Sequence, residues 1–358
     1  MKTLQVLITG THHTPAIELI HQLRVDKIIH WRIDYIGHLF PSETHLSQTL
    51  IPKLKINFHP LSCGKLDRRW LPNTILGIPK TITAIFLAYR LIKKIRPDIV
   101  VSFGGYVSVP VVISAKICRI PSLTHEQTLT NSLSTKINSY FVNRIALSFN
   151  NPAQISRLPK NKVVITGNLL RSEIYQKTTV NFKNLETKNL PLIYVTGGNQ
   201  GSSAINQIIL KILLKINKKF IIVHHTGNLD YQSIIQNTKN IPNYYPTDYI
   251  GLDDIGWVLN QAQIIISRSG ANTCQEIVAL GKNSILIPLI KSQQNEQLLN
   301  ARWVKQQQPL NTIIIPQNIL TVAKLLHSIR RLSVVKPLTP SSPASSNLKL
   351  LNLIHEMV

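Results

Sequence analysis

The chain of 358 residues is short of three things: cysteine, acidic side chains and long apolar runs. Its 3 Cys (Cys63, Cys118 and Cys274) have no paired spacing. That disfavours a disulfide framework or a zinc site and suggests a reducing, cytosolic compartment. No stretch reaches the ~18 uninterrupted apolar residues of a membrane-spanning helix. The N-terminus, Met1 to Gly10, has too short an apolar run for a signal sequence and no small-residue cleavage pattern. It reads as a first β-strand of a soluble or peripheral protein. Only 16 Asp+Glu stand against 40 Lys+Arg, a formal charge of +24. Such a field favours nucleotides, acidic lipid headgroups or nucleic acid as partners, although heavy use of Lys, Ile and Asn throughout gives the same excess. No basic run is interleaved with aromatics and no nucleic-acid module signature occurs, so a nucleic-acid role is not expected. Internal repeats at solenoid periods are absent as well.

What the chain does have is a hydrophobic fraction of 44%, ample for packed cores, and a length that suggests two domains. Apolar strands alternate with helical stretches, the mark of parallel, doubly wound sheets. The first half offers strands at Leu4–Ile8, Ile33–Ile36, Ile99–Ser102, Ser122–Thr124, Arg144–Ser148 and Val163–Thr166. The series restarts at Leu192–Val195, Phe220–Val223, Ile264–Ser267 and Ser284–Ile287, after a polar, Asn/Lys-rich stretch from Lys177 to Leu190. Two such halves meeting in a cleft would bind ligands outside the carboxyl ends of their strands. Residues 337–346 are rich in Pro and Ser and read as a linker, followed by a short last helix from about Asn347 to Glu356.

The most informative stretch runs from Ile264 to Ala301. A buried strand ends in the turn Arg268-Ser269-Gly270-Ala271, and a helix opens at Asn272-Thr273-Cys274-Gln275-Glu276. A helix N-terminus after a glycine turn presents backbone N–H groups and the positive end of the helix dipole to a phosphate. Glu276 could accept both hydroxyls of a ribose. The bland alternative is an ordinary strand–helix–strand unit whose glycine closes a turn.

Other strand ends carry comparable features. Thr9-Gly10-Thr11-His12-His13 follows the first strand, as an anion site with imidazoles beside it or as a capping turn. Gly104-Gly105-Tyr106 and His125-Glu126-Gln127 end the next strands; a Glu beside a His is an acid/base pair or buried hydrogen-bonding structure. Gly197-Gly198-Asn199-Gln200-Gly201-Ser202 would let backbone approach a pyrophosphate, but lacks both the dinucleotide fingerprint and a P-loop Lys-Ser/Thr end. Asp253-Asp254 is read as support for a helix N-terminus rather than as a metal site. Pro79 can begin an amphipathic helix to Ile95, with Arg68-Arg69-Trp70-Leu71 upstream. That segment suits core packing with a basic end, or an anionic membrane surface.

Taken in order and spacing, these pieces resemble the lipid II-forming peptidoglycan N-acetylglucosaminyltransferases of the glycosyltransferase 28 group. The matching residues are Thr9-Gly10-Thr11-His12, Ser102-Phe103-Gly104-Gly105-Tyr106, His125-Glu126-Gln127, Thr166-Gly167-Asn168-Leu169-Leu170-Arg171, Gly197-Gly198-Asn199-Gln200-Gly201, Asp253-Asp254-Ile255, Ser267-Arg268-Ser269-Gly270-Ala271 with Glu276, and Gln297-Leu298-Leu299-Asn300-Ala301. The resemblance implies an α/β fold of the GT-B class, two Rossmann-like doubly wound domains facing across a cleft. Residues 1–165 would form the acceptor- and membrane-binding domain and 166–336 the UDP-sugar domain, with a final helix over 347–358 packing back on the first. It implies an inverting transfer of N-acetylglucosamine from UDP-N-acetylglucosamine to undecaprenyl-pyrophosphoryl-N-acetylmuramyl-pentapeptide, without metal or cofactor, at the cytoplasmic face of the cell membrane. Residues 68–95 would meet the anionic membrane.

By matching positions, His12 stands where the family proposes a general base and Glu276 would hold the ribose. Leu252 would present backbone to the uracil. Arg171, Asn199, Gln200 and Ala271-Asn272-Thr273 would serve the diphosphate and the cleft, and Glu296 and Gln297 the sugar hydroxyls. Thr9, Gly10, Thr11 and Thr128 join the donor side, and Gly104, Gly105, Tyr106, His125, Glu126 and Gln127 the acceptor side. Three glycines of the family's first loop are replaced in Leu7-Ile8-Thr9-Gly10-Thr11-His12, its Asp-His-Gln is Asn295-Glu296-Gln297, and its Ser is Asn199. These swaps leave open a related GT-B transferase with another lipid acceptor or nucleotide sugar, and a non-catalytic UDP-sugar-binding protein. An epimerase on the same fold is less expected, because the basic amphipathic segment would then have no purpose.

Overall fold

The computed structural model describes residues 2–11, 13–38, 54–64, 71–175, 182, 185, 190–198, 201–289, 295–340 and 345–358, with backbone alone at 71–76, 252, 253 and 345. The chain divides into two compact units, Met1–Leu169 with Ala344–Val358, and Leu170–Pro343.

The first unit runs β1 (Lys2–Thr9), α1 (His13–Arg24), β2 (Ile29–Gly37), β3 (Asn57–Pro60), α2 (Leu71–Ile95), β4 (Ile99–Ser102), α3 (Ser108–Ile117), β5 (Ser122–Glu126), α4 (Leu133–Phe141), β6 (Arg144–Leu147), α5 (Pro152–Ile155) and β7 (Val163–Ile165). Among the described residues its strands form one parallel sheet in the order β3-β2-β1-β4-β5-β6-β7. The order reverses between β1 and β4, so the loops after those two strands open a crevice where ligands of such sheets bind. Leu7, Ile36 and Val100 from the strands pack with Ala84, Ala88 and Ile92 of α2 and Val111 and Ala115 of α3. Each fully buried Leu, Ile or Val contributes about 1.5–3 kcal/mol relative to exposure.

The second unit runs β8 (Leu192–Thr196), α6 (Ser203–Ile216), β9 (Ile221–His225), α7 (Asn228–Thr238), β10 (Tyr244–Thr247), α8 (Leu252–Gln261), β11 (Ala262–Ser267), α9 (Ala271–Ala279), β12 (Asn283–Leu286), α10 (Glu296–Gln307), β13 (Thr312–Ile314) and α11 (Val322–Ser333). Its described strands are parallel in the order β10-β9-β8-β11-β12-β13, with the reversal between β8 and β11. Alternate residues feed opposite faces. Ile193, Val195, Ile264 and Ile266 pack with α6 and α11, whereas Leu192, Tyr194 and Ile265 pack with residues of α8, α9 and α10.

Three strands are not read from the sequence: β3, β10 and β13. Each lies at a sheet edge, where pairing is one-sided and a Pro is tolerated, as at Pro60 and Pro246. The helix expected to start at Pro79 starts at Leu71 and holds Pro79 inside it. Thr81 Oγ1 donates to the Gly77 carbonyl at 2.9 Å and Thr83 Oγ1 to that of Pro79 at 3.0 Å within this stretch. Residues 345 and 346, expected as linker, are already helix in α12 (Ser345–His355).

Helix α12 belongs to the first unit and packs on α1. Asn347 Nδ2 donates to Glu18 Oε1 at 2.9 Å, and His355 Nε2 meets Asp26 Oδ2 at 2.6 Å. Trp31 Nε1 donates to the same Asp26 oxygen at 2.7 Å while its ring stacks on His355 at 6.3 Å between centroids. Burial alone would raise the Asp26 carboxyl, but the Ile28 N–H, Trp31 and His355 outweigh it and hold it below its ordinary value. A depressed carboxyl contributes stability that is full above the ordinary aspartate value and is lost as pH falls through the native one. Asp26→Asn is therefore expected to destabilise the protein by about 1–3 kcal/mol at pH 7. Urea unfolding repeated below pH 4 should show that gap closing.

Candidate active site

In the first unit the strand ends are interlocked. The Phe103 N–H donates to the Thr9 carbonyl at 2.7 Å and the Thr11 N–H to that of Gly104 at 3.2 Å. Gly10 sits at φ +140°, and a Cβ there would lie 2.9 Å from the Phe103 carbonyl carbon. Gly105 sits at φ +77°, and a Cβ there would lie 2.1 Å from Thr11 Oγ1. Both positions demand glycine. Hydroxyls brace the loop from below: Ser102 Oγ accepts from the Gly104 N–H at 3.2 Å and Ser134 Oγ from the Gly105 N–H at 3.0 Å. Asn138 Nδ2 donates to Ser108 Oγ at 3.0 Å. Tyr35 OH donates to the Gly10 carbonyl at 3.0 Å and lies 3.2 Å from His13 Nδ1.

His125, Glu126 and Gln127 are buried at the end of β5. His125 Nε2 donates to the Gly167 carbonyl at 2.9 Å. Glu126 accepts from Thr128 Oγ1 at 2.9 Å, the Thr128 N–H at 3.2 Å and the Ser132 N–H at 2.9 Å. These bonds favour buried structure over an acid/base pair: Glu126 shapes the loop 128–132. Gln127 Nε2 is buried with no partner among the described residues. Tyr106 packs edge-on against His38 at 5.9 Å. His12 lies outside the described residues.

In the second unit, helices α6, α8 and α9 open after β8, β10 and β11, and none has a side-chain cap at Ser202, Gly251 or Gly270. First-turn N–H groups without such caps, together with the helix dipole, suit a phosphate. Ala271, Asn272 and Thr273 form the first turn of α9, and the Leu252 backbone opens α8. Asn199 and Gln200 lie outside the described residues. Gln297 opens α10 beside Glu296; its Oε1 accepts from the Leu289 N–H at 2.9 Å and its carbonyl from Ser269 Oγ at 2.7 Å. The preceding Asn295 is left-handed at φ 55°, a conformation Asn tolerates better than most side chains.

One turn inside α9, Glu276 is 3% exposed. Arg171 grips it with a two-pronged fork, Nε to Oε1 at 2.7 Å and Nη2 to Oε2 at 2.8 Å. Burial would lower the Arg171 guanidinium, but Glu276 holds it above its ordinary value. The arginine is set by the short helical turn Ser172–Tyr175, whose Ile174 carbonyl accepts from Asn260 Nδ2 at 2.7 Å. Gly256 lets α8 approach that turn, since a Cβ there would lie 2.2 Å from the Glu173 carbonyl oxygen. Arg268, present in the motif Ser267-Arg268-Ser269-Gly270-Ala271 but given no role there, ties Ser202 to Gln317. Its motif is visible in the sequence, but its partners, 66 and 49 residues away, are not.

Residues 6–147 match the glycosyltransferase family 28 N-terminal domain and residues 192–356 its C-terminal domain. A protein of Clostridium novyi named UDP-N-acetylglucosamine--N-acetylmuramyl-(pentapeptide) pyrophosphoryl-undecaprenol N-acetylglucosamine transferase is 30% identical over 99% of both chains. The chain belongs to that transferase family. Its fold is GT-B, built from two Rossmann-like units. Acinetobacter baumannii MurG aligns with TM-score 0.66 over 99% of both chains at 19% identity. The UDP-GlcNAc 2-epimerase of Neisseria meningitidis aligns with TM-score 0.68 over 99% of this chain and all of its own, at 14% identity. At such identities the likeness speaks for fold alone, and the epimerase reading gains nothing from it.

Removing one partner of a buried ion pair strands the other, at about 3–5 kcal/mol. Glu276→Ala and Arg171→Ala should each cost about that much. The double variant should cost clearly less than their sum, a coupling that a denaturation double-mutant cycle reads directly.

Proposed function

We propose that this chain transfers N-acetylglucosamine from UDP-N-acetylglucosamine to the muramyl sugar of undecaprenyl-pyrophosphoryl-N-acetylmuramyl-pentapeptide, forming lipid II. The observation that carries this reading is a buried, forked Glu276 one turn inside an uncapped helix, in a chain related over 99% of its length to a transferase so named. Glu276 accepts the ribose hydroxyls, and Arg171, whose guanidinium grips that carboxylate, serves the diphosphate and the cleft. The N-termini of α6 and α9 receive the diphosphate, together with Asn199 and Gln200. They stabilise it as it departs, in place of a divalent ion. The Leu252 backbone meets the uracil, and Glu296 and Gln297 the sugar. The first unit holds the acceptor at the braced turn Gly104-Gly105-Tyr106, with His125, Glu126 and Gln127, while Thr9, Gly10 and Thr11 serve the donor side. His12 removes the proton of the attacking hydroxyl as the UDP bond breaks on the opposite face, which inverts the anomeric carbon.

Helix α2 supplies the membrane contact in this reading. Ile78, Ile82 and Phe86 form a stripe along it, 46%, 62% and 59% exposed. Arg90 lies over the Phe86 ring at 5.8 Å and Lys93 over that of Tyr89 at 5.8 Å. Among the described residues no helix is long and apolar enough to cross a membrane. We assign the chain to the cytoplasmic face of the cell membrane as a peripheral protein. A related transferase with another lipid acceptor is the second reading. It is favoured by Thr11, whose side chain fills the space beside Gly105 where the family has glycine.

Purified chain given radiolabelled UDP-N-acetylglucosamine and a short-chain lipid-linked muramyl-pentapeptide, without added metal, should yield the disaccharide. Glu276→Ala, losing two charge-assisted hydrogen bonds to ribose, should lower kcat/KM by about 10²–10⁴-fold. Donor binding without product would shift the acceptor to another lipid. Co-sedimentation with phosphatidylglycerol vesicles should weaken by at least about tenfold in Ile82→Glu/Phe86→Glu. Unchanged sedimentation would remove α2 from the membrane contact.

A further inference from the structure

Arg268 stands at the carboxyl end of β11, half out of water, with no carboxylate partner among the described residues. Its Nη2 donates to Ser202 Oγ at 2.7 Å and to Gln317 Oε1 at 2.5 Å. Its Nη1 donates to the Ile287 carbonyl at 3.1 Å and its backbone N–H to that of Thr196 at 3.3 Å. Four segments therefore meet on one residue: the end of β8, the start of α6, the chain leaving β12 and the turn Gln317–Ile319. Ser202 is the N-cap residue of α6, yet its hydroxyl caps nothing there and accepts from Arg268 instead.

Every one of these side-chain partners is neutral. Burial presses the guanidinium below its ordinary value and no anion opposes it. Arg171 shows the contrast within the same unit, since its charge is matched by Glu276. A desolvated cation with neutral partners carries a cost that an arriving anion offsets. The adjacent Ser267 Oγ is fully buried and also lacks a partner among the described residues. The glycine turn beside Ser202 is wedged from its other side as well. Gly201 sits at φ +76°, and a Cβ there would lie 2.0 Å from the Thr226 carbonyl oxygen.

We infer that Arg268 is a positioning residue for a nucleoside diphosphate: it anchors the start of α6 through Ser202 and holds an unmatched positive charge behind the turn that receives the phosphates. The inference rests on the reading of the second unit as the donor site. Its two parts, brace and charge, are separable at Gln317. Gln317→Glu keeps the hydrogen bond to Arg268 but hands the guanidinium a carboxylate, which strengthens the brace and quenches the charge.

Calorimetric titration of UDP into the full chain, beside thermal unfolding, tests this. In Gln317→Glu the melting temperature should hold or rise while UDP binds about tenfold more weakly, a gap that narrows at high salt. Arg268→Lys, which keeps charge and loses the fork, should bind UDP more tightly than Arg268→Gln. Gln317→Glu binding UDP as wild type does, or equal affinities for Arg268→Lys, Arg268→Gln and wild type, would overturn the inference. Wild-type protein that is folded but does not bind UDP would overturn the donor-site reading along with it.

Discussion

A carboxylate taken out of water needs a cation, and in the second unit that requirement organises the site. Glu276 is held inside α9, and the arginine that matches it comes from the chain between β7 and β8. For the fork to close, the turn Ser172–Tyr175 must sit against α8, which needs Gly256 without a side chain and Asn260 with one. The ion pair thus fixes three segments at once. Its geometric specificity comes from the two parallel hydrogen bonds of the guanidinium rather than from charge alone.

Both units meet the same constraint at their strand ends with different chemistry. A parallel sheet that reverses direction brings turns and helix N-termini together at its carboxyl edge. In the first unit hydroxyls and an amide, from Ser102, Ser108, Ser134 and Asn138, support the Gly104-Gly105 turn. The second leaves three helix starts without side-chain caps. It places two guanidiniums nearby, one matched and one not. Open helix starts beside guanidiniums suit phosphate.

The central strands are legible in the sequence because they are buried on both faces and read as unbroken apolar runs, as in Ile264-Ile265-Ile266. The edges β3 and β10 are not, because Asn57-Phe58-His59-Pro60 and Tyr244-Tyr245-Pro246-Thr247 carry polar residues and proline that only a one-sided strand accepts. Site features set by neighbouring residues, such as the Gly270 turn feeding α9 and Glu276 within it, are visible locally. Features closed by distant residues are not. Arg171 meets Glu276 across 105 positions, and nothing in the neighbourhood of Gln317 announces that it faces Arg268. The sequence likewise does not reveal that His125 and Glu126, adjacent in the chain, direct these hydrogen bonds to different loops.

The docking of α12 on α1 makes the first unit discontinuous, since its last helix follows the whole of the second unit in the chain. On a ribosome, the Asp26, Trp31 and His355 cluster cannot assemble until residue 355 has emerged, long after β1 to β7 are available. The early sheet therefore waits with one flank of α1 uncovered while the second unit is made and folds. Chains with such late, non-local closure fold slowly and expose apolar surface in the interval. Completion of the first unit then reports that the second has already been built.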